Sequence, residues 1–365
     1  MTARMFLARQ RQLATLVVCL SAAVGSSAQD VPRDFEEQTS GLSSATMSLL
    51  IDPVVEALDS GDPEQISTQR ERLVERLRNP RASAAFRLGL SDRLAEPLAL
   101  HAESEDSLVS GNALQIAGWI ATKETSRLLL DAMSSESDVV RFAAVTAARR
   151  TVRTFGQRAP AISEDAASSL VSGLVALVET DASTDVATAA MRSIGEARLA
   201  RGGKLDAVGQ QAISQGTTAL GRRVAGLGTD PAANARLLRG VVVILIDART
   251  LLDSGGDGSV PQPVRCGFAT LAGHSVAHAR RVYLDAGADF GGETTIYTAL
   301  VDAAEKAIYF GEVGSSVPTN LTEALRDSDS DRDERFLRGV IDLLGPGGSL
   351  ETGPCSLDGK LFLKG

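Results

Sequence analysis

The sequence predicts an all-α protein whose middle is a short stack of helix pairs, an α-solenoid, with additional C-terminal helices. Three observations predict it. Apolar residues make up 44% of the 365 and aromatics only 4%, and much of the apolar content is Ala, Leu and Val, whose small side chains let helices approach closely. Apolar positions recur at the three- and four-residue spacing of a buried helix face. Between residues 80 and 200 a pattern of small residues returns several times, separated by short acidic turns, as in arrays of stacked repeats.

Taken in order, residues 1–28 carry the three parts of a secretory signal. Arg4, Arg9 and Arg11 form a basic start, LATLVVCLSAAV at 13–24 is the apolar run, and Ser26, Ser27 and Ala28 are small residues suited to cleavage before Gln29. The apolar run is about 12 residues, short of the roughly 20 that a spanning helix needs. Val18 is too large for the position before a lipidated Cys19. Export follows as the expectation, to the periplasm or outside, with no integral membrane segment after cleavage. Residues 29–42 form a polar lead-in. A helical period begins near Ser43 and ends at DSGD (59–62), and a second helix from Pro63 reaches Leu77 before RNP (78–80).

Four segments then superpose: RASAAFRLGL from Arg81, SLVSGNALQIAG from Ser107, SDVVRFAAVTAA from Ser137 and TDVATAAMRSIG from Thr184. Ala85, Ala113, Ala143 and Ala190 share one column. Gly89, Ala117, Ala147 and Ile194 share the column four residues on, and the next holds Leu90, Gly118, Ala148 and Gly195. Small residues at this spacing make a flat helix face for close packing. Second helices lie between, at 123–133 and 165–179.

The segment SESDVVRFAAVTAARR, at 135–150, resembles the second helix of a HEAT repeat, with Asp138 as cap, the pair Val140–Arg141, and Ala143, Ala144 and Ala147 in the packing column. The copies on either side are looser: Thr188 and Gly111 stand where the Arg belongs. The resemblance covers about a third of the chain, roughly 80–200. It implies a scaffold whose surface binds proteins or peptides, and it implies no chemistry.

Residues 201–345 read as a further helical region. GGKLDAVGQQAISQGTTALGRRVAGLG (202–228) reads as a long broken helix. Asp230-Pro231 starts another, which runs through VVVILI (241–246), a segment that alternatively reads as a buried strand. After the linker-like SGGDGSVPQPV come helices at about 268–284, from Thr294, and up to Gly345. The tail 346–365 has no helical period, and its KLFL suggests a short strand.

The chain's net charge is −9. Removing residues 1–28, which contain three Arg and no acid, leaves 34 basic against 46 acidic residues, a net of −12. That balance argues against nucleic acid as partner, since phosphate backbones require concentrated Lys and Arg. Two cysteines, Cys266 and Cys355, remain after cleavage. An oxidising compartment favours their pairing, with two buried free thiols as the alternative.

Candidate sites are few. His274 and His278 stand at i and i+4, so a helix would project both rings from one face toward a transition metal, with Asp285, Asp289 or Glu293 supplying a carboxylate. DSDSDRDE (327–334) begins like a calcium loop, but Arg332 and Arg338 occupy the positions that need Gly and Glu. The Gly-rich segments GADFGG and SGGDG lack phosphate-cradling spacing, so no cofactor is expected. His101, His274 and His278 are the only imidazole bases, and none sits in a nucleophile motif. Arg149, Arg150, Arg153 and Arg158 form a basic cluster at one repeat end, suited to an acidic partner. The resulting expectation is an exported scaffold for a protein or peptide partner. A metal-dependent module after residue 260 and a structural envelope component are the alternatives.

Overall fold

The computed structural model describes residues 31–32, 34–200, 202–253, 260–311 and 320–363, so the expected signal at 1–28 and most of the SGGDG loop lie outside the described residues. Contacts divide the chain into two compact units, Met1–Phe35 and Glu36–Gly365. Among the described residues, all of the α-helices lie in the second unit.

Among the described residues every regular element is helical. The helices are α1 (Ser44–Ser60), α2 (Pro63–Arg78), α3 (Ala84–Ala102), α4 (Ser107–Ile120), α5 (Lys123–Met133), α6 (Asp138–Arg153), α7 (Glu164–Thr180), α8 (Thr184–Gly195), α9 (Asp206–Ala225), α10 (Pro231–Asp253), α11 (Gln262–Ala286), α12 (Thr294–Gly311), α13 (Leu321–Arg326), α14 (Arg332–Leu344) and α15 (Ser349–Thr352). The starts are written in the sequence. Each of α1 to α8 is preceded by a Ser, Asp or Thr whose side chain accepts a first-turn N–H: Ser43, Asp62, Ser83, Asp106, Thr122, Ser137, Ser163 and Ser183. Such a cap satisfies an amide with no intrahelical partner. The cap of α6 is therefore Ser137, and Asp138 is the first helical residue rather than the cap.

The helices lie in two rows. Odd-numbered helices α1 to α11 pack each against the next odd one, and α2 to α12 pack likewise among themselves. Between rows, α1 meets α2, α3 meets α4, α5 meets α6, α7 meets α8 and α11 meets α12. The alternation does not stop at residue 200 but continues to Gly311. It also re-registers one repeat. The segments from Ser107, Ser137 and Thr184 are α4, α6 and α8 in one row, whereas the segment from Arg81 is α3 in the other. α3 shares their Ala/Gly composition because both rows pack closely, so composition alone misplaces it.

The small-residue columns mark where backbones nearly touch. A Cβ on Gly118 would stand 2.3 Å from the Ala147 carbonyl oxygen, which brings α4 onto α6. A Cβ on Gly267 would stand 2.3 Å from Thr217 Oγ1 and 3.1 Å from Ser214 Cα, which brings α11 onto α9. The Gly-punctuated stretch is thus one unbroken helix from 206 to 225, its glycines serving contact rather than breaks. VVVILI belongs to α10, not to a strand.

Two buried polar links tie successive helix ends. The Arg87 guanidinium, 2% exposed, donates to the carbonyls of Leu77, Trp119 and Ile120, the free C-terminal ends of α2 and α4. Burial lowers its pKa to about 10. Arg141 donates through Nε and Nη2 to the two Asp181 oxygens at 2.7 and 3.2 Å, joining α6 to the turn after α7. Burial alone would raise the Asp181 carboxyl, but the hydrogen bonds from Arg141 and from the Ser183 N–H hold it below its ordinary value.

The tail is not extended. Residues 349–352 form a helical turn and Gly359–Leu361 a 3-10 turn where a strand was expected, because among the described residues no strand edge exists for KLFL to pair with. The tail packs on α11: Phe362 meets the His274 ring edge-on at 4.9 Å, and Gln262 Nε2 donates to the Pro354 carbonyl. The sulfurs of Cys266 and Cys355 are bonded, with Cα atoms 5.3 Å apart.

Candidate functional site

The most site-like feature lies where the even row parts. α8 has 12 residues and α10 has 23, so at about 1.5 Å per residue α10 extends far beyond the end of α8. Their N-terminal halves are held together by an Arg236–Asp185 ion pair and by Gly240, on which a Cβ would stand 2.7 Å from Thr188 Cγ2. Beyond Gly195 the chain turns off into a 3-10 segment, Glu196–Ala200, so that α8 covers only the first part of α10, whose other row neighbour is α12.

A groove of about 270 Å³ opens there. Ile244, Ala248 and Leu251 of α10 form one wall, Met191 lies opposite, and Ile213 and Phe268 make an apolar floor. It runs over Arg198, Ile213 and Leu251 into a second recess of about 160 Å³ that reaches Val260, Pro261 and Val264. Arg149, Arg192 and Arg198 stand on the α8 side, with Glu196; Asp247 stands on the α10 side.

Glu196 is 3% exposed. Arg149 Nε donates to its Oε1 at 2.8 Å and Arg153 Nε to its Oε2 at 3.1 Å. Burial would raise its pKa, but the bonds from Arg153 and Arg149 keep it below its ordinary value. Arg150 lies over the Trp119 ring at 5.1 Å, and Arg78 over the same ring at 5.4 Å. Burial first, and then the neighbouring Arg153, Arg149 and Arg78, depress the Arg150 pKa, with Glu196 opposing them. Arg192 and Arg198 are exposed, and among the described residues neither makes an ion pair.

The four arginines of the basic cluster at the repeat end have different surroundings. Arg149 and Arg153 share a buried carboxylate, Arg150 stacks on an indole, and Arg158 is exposed in the bend after α6. Their partners come from 31 to 47 residues away, which no local pattern reveals. Arg192 and Arg198, which complete the basic side of the groove, escape sequence reasoning because they sit singly in the chain.

His274 and His278 do not form a metal centre. Both lie inside α11, 4% and 0% exposed. Arg281 Nη2 donates to His278 Nδ1 at 3.3 Å, which leaves the hydrogen on Nε2, facing the Tyr297 hydroxyl at 3.3 Å. Both ring nitrogens of His278 are occupied, and a guanidinium stands beside it; His274 Nδ1 is buried without a hydrogen-bond partner. Of the carboxylates expected to join them, Asp285 accepts from the Thr229 hydroxyl and Asp289 from the Gly291 N–H. Among the described residues no group of three His, Cys, Asp or Glu side chains is placed to hold a metal ion. The acidic run at 327–334 is gathered by Arg335, which reaches Asp327 at 2.8 Å, Asp331 at 3.3 Å and Asp329 at 3.7 Å. Phe290 of GADFGG is fully buried and stacks on Tyr297 at 4.7 Å, so that loop serves the core.

No family model and no curated protein matches the chain. Among solved structures it is similar to an engineered protein, at 19% identity over 72% of this chain and 97% of that one, with a TM-score of 0.34. A second engineered protein aligns at 16% identity over 82% and 90%, with a TM-score of 0.30. Both scores are too low to carry an argument. Among the described residues no helix is long and apolar enough to cross a membrane.

Proposed function

We propose that the chain is an exported HEAT-like helical scaffold that binds a protein or peptide partner in the cell envelope or outside the cell. The observation that carries the reading is the groove beside α8: apolar residues at its floor beside two exposed arginines, Arg192 and Arg198, that make no ion pair among the described residues, in a chain whose net charge is −9. Surface arginines without partners next to an accessible apolar cleft are the composition of binding surfaces rather than of plain solvated faces. Signal-like residues 1–28 and a cystine between Cys266 and Cys355 support an oxidising compartment.

Two measurements test it. N-terminal sequencing of the protein recovered from its native envelope should begin at Gln29; recovery only in the unprocessed form, inside the cell, would remove export from the proposal. Capture of the mature form under mild crosslinking should bring down one envelope protein in stoichiometric amount. Recovery of none would overturn the scaffold function.

A further inference from the structure

We infer that the groove between α8 and α10 takes an acidic peptide segment carrying a large apolar side chain, the carboxylates meeting Arg192 and Arg198 and the apolar group seating on Ile213 and Phe268. The inference rests on the scaffold reading and names the chemistry of its partner.

The geometry separates the two halves of such a ligand. Ile213 and Phe268 lie at the floor among Met191, Ile244 and Leu251, and the groove as a whole, charged residues included, has about 270 Å³, the volume of a large side chain. The floor has nothing to offer a phosphate. The charged part stands on one side only. Glu196 makes its ion pairs with Arg149 and Arg153, and among the described residues none with Arg192 or Arg198. Exposed guanidinium groups bind carboxylates through paired, charge-assisted hydrogen bonds. An acidic segment therefore gains on this side what it loses against the rest of a negatively charged surface. Asp247, across the groove, orients the ligand: it repels carboxylates from the α10 wall and accepts a backbone N–H.

The test uses the purified mature chain with its disulfide intact and four fluorescent probes. These are a short Asp/Glu-rich peptide with a central Phe-Leu pair, the same peptide with Ala-Ala there, the Phe-Leu pair flanked by Lys, and a short single-stranded DNA. Anisotropy should show the first probe bound at least about tenfold more tightly than the other three, a difference of about 1.4 kcal/mol. Arg192→Ser with Arg198→Ser, both at exposed positions, should weaken the first probe by about tenfold, and Asp247→Asn should strengthen it by about twofold. Equal binding of the acidic probes with and without Phe-Leu, or binding of DNA as tight, would reduce the groove to a polyanion surface and overturn the inference. So would unchanged affinity in the double Arg variant, or no binding of the first probe up to about 1 mM. A partner captured equally by wild type and by the double Arg variant would sink this inference while leaving the scaffold function standing; a partner captured by neither removes the function itself.

Discussion

Acid should weaken this protein first through two buried histidines. Burial, then Arg281 and, for His274, Arg222, lower both imidazole pKa values to about 4. The groups that face them are the Phe362 ring on His274, and Tyr297 and Arg281 on His278. An unfolded histidine titrates near 6.5. The folded value lies below the unfolded one, so on acidification the unfolded chain takes up protons that the native state refuses. The stability is fully present above about pH 6.5, declines as pH falls toward 4, and levels off below that. A gap of about 2.5 pH units corresponds to at most about 3 kcal/mol per histidine, of which about 2 kcal/mol is lost by pH 5. Two such residues remove about 4 kcal/mol from a total that for natural domains is about 5–15 kcal/mol. The measurement is the urea midpoint followed by helical circular dichroism, stepped from about pH 7.5 to about pH 5 at fixed ionic strength. The wild-type midpoint should drop through this window, and that of His274→Leu/His278→Gln should stay nearly level. Asp181 and Glu196, both held below their ordinary values, contribute only in more acidic solution. A level wild-type midpoint, or a double variant that tracks the wild type, would refute the burial argument.

Other perturbations have equally definite expectations. Cys266→Ser/Cys355→Ser opens a loop spanning 89 residues; by loop-closure entropy the loss is up to about 4.6 kcal/mol, read as a lower melting temperature with faster proteolysis within 346–355. Arg87→Met strands the carbonyls of Leu77, Trp119 and Ile120 and should cost about 2–4 kcal/mol in urea unfolding, with Lys at this position failing to restore it because one ammonium cannot span two helix ends. Gly118→Ala forces α4 off α6 and should cost about 1–3 kcal/mol despite the better helix propensity of alanine; unchanged stability would mean that the two backbones are not in contact.

Helix positions are legible in the sequence because their causes are local. A Ser, Asp or Thr stands before each of the first eight helices, and apolar spacing runs through the helices themselves. Pairing across turns is less legible. Ala85 resembles Ala113 and Ala143, yet its helix belongs to the other row, since small residues mark close packing on any side. The i, i+4 spacing of His274 and His278 correctly marks one stretch of helix, but spacing does not say whether that stretch faces solvent or carries Phe362, Tyr297 and Arg281 around it. The groove has no local signal. It arises because α8 ends at Gly195 while α10 continues, a difference in length between two helices that are not consecutive in the chain.

The two-row arrangement also has a kinetic consequence. Within the span from α1 to α12 the helices lean on their next and next-but-one neighbours, so few contacts wait for distant segments to be made. Folding slows as contacting residues lie farther apart in sequence, and arrays of this kind grow from whichever pairs form first. The array can therefore order itself pair by pair, without waiting for the whole chain. The bond between Cys266 and Cys355 is the exception: it requires α11 and the tail together, and its formation reports when that part of the molecule has assembled.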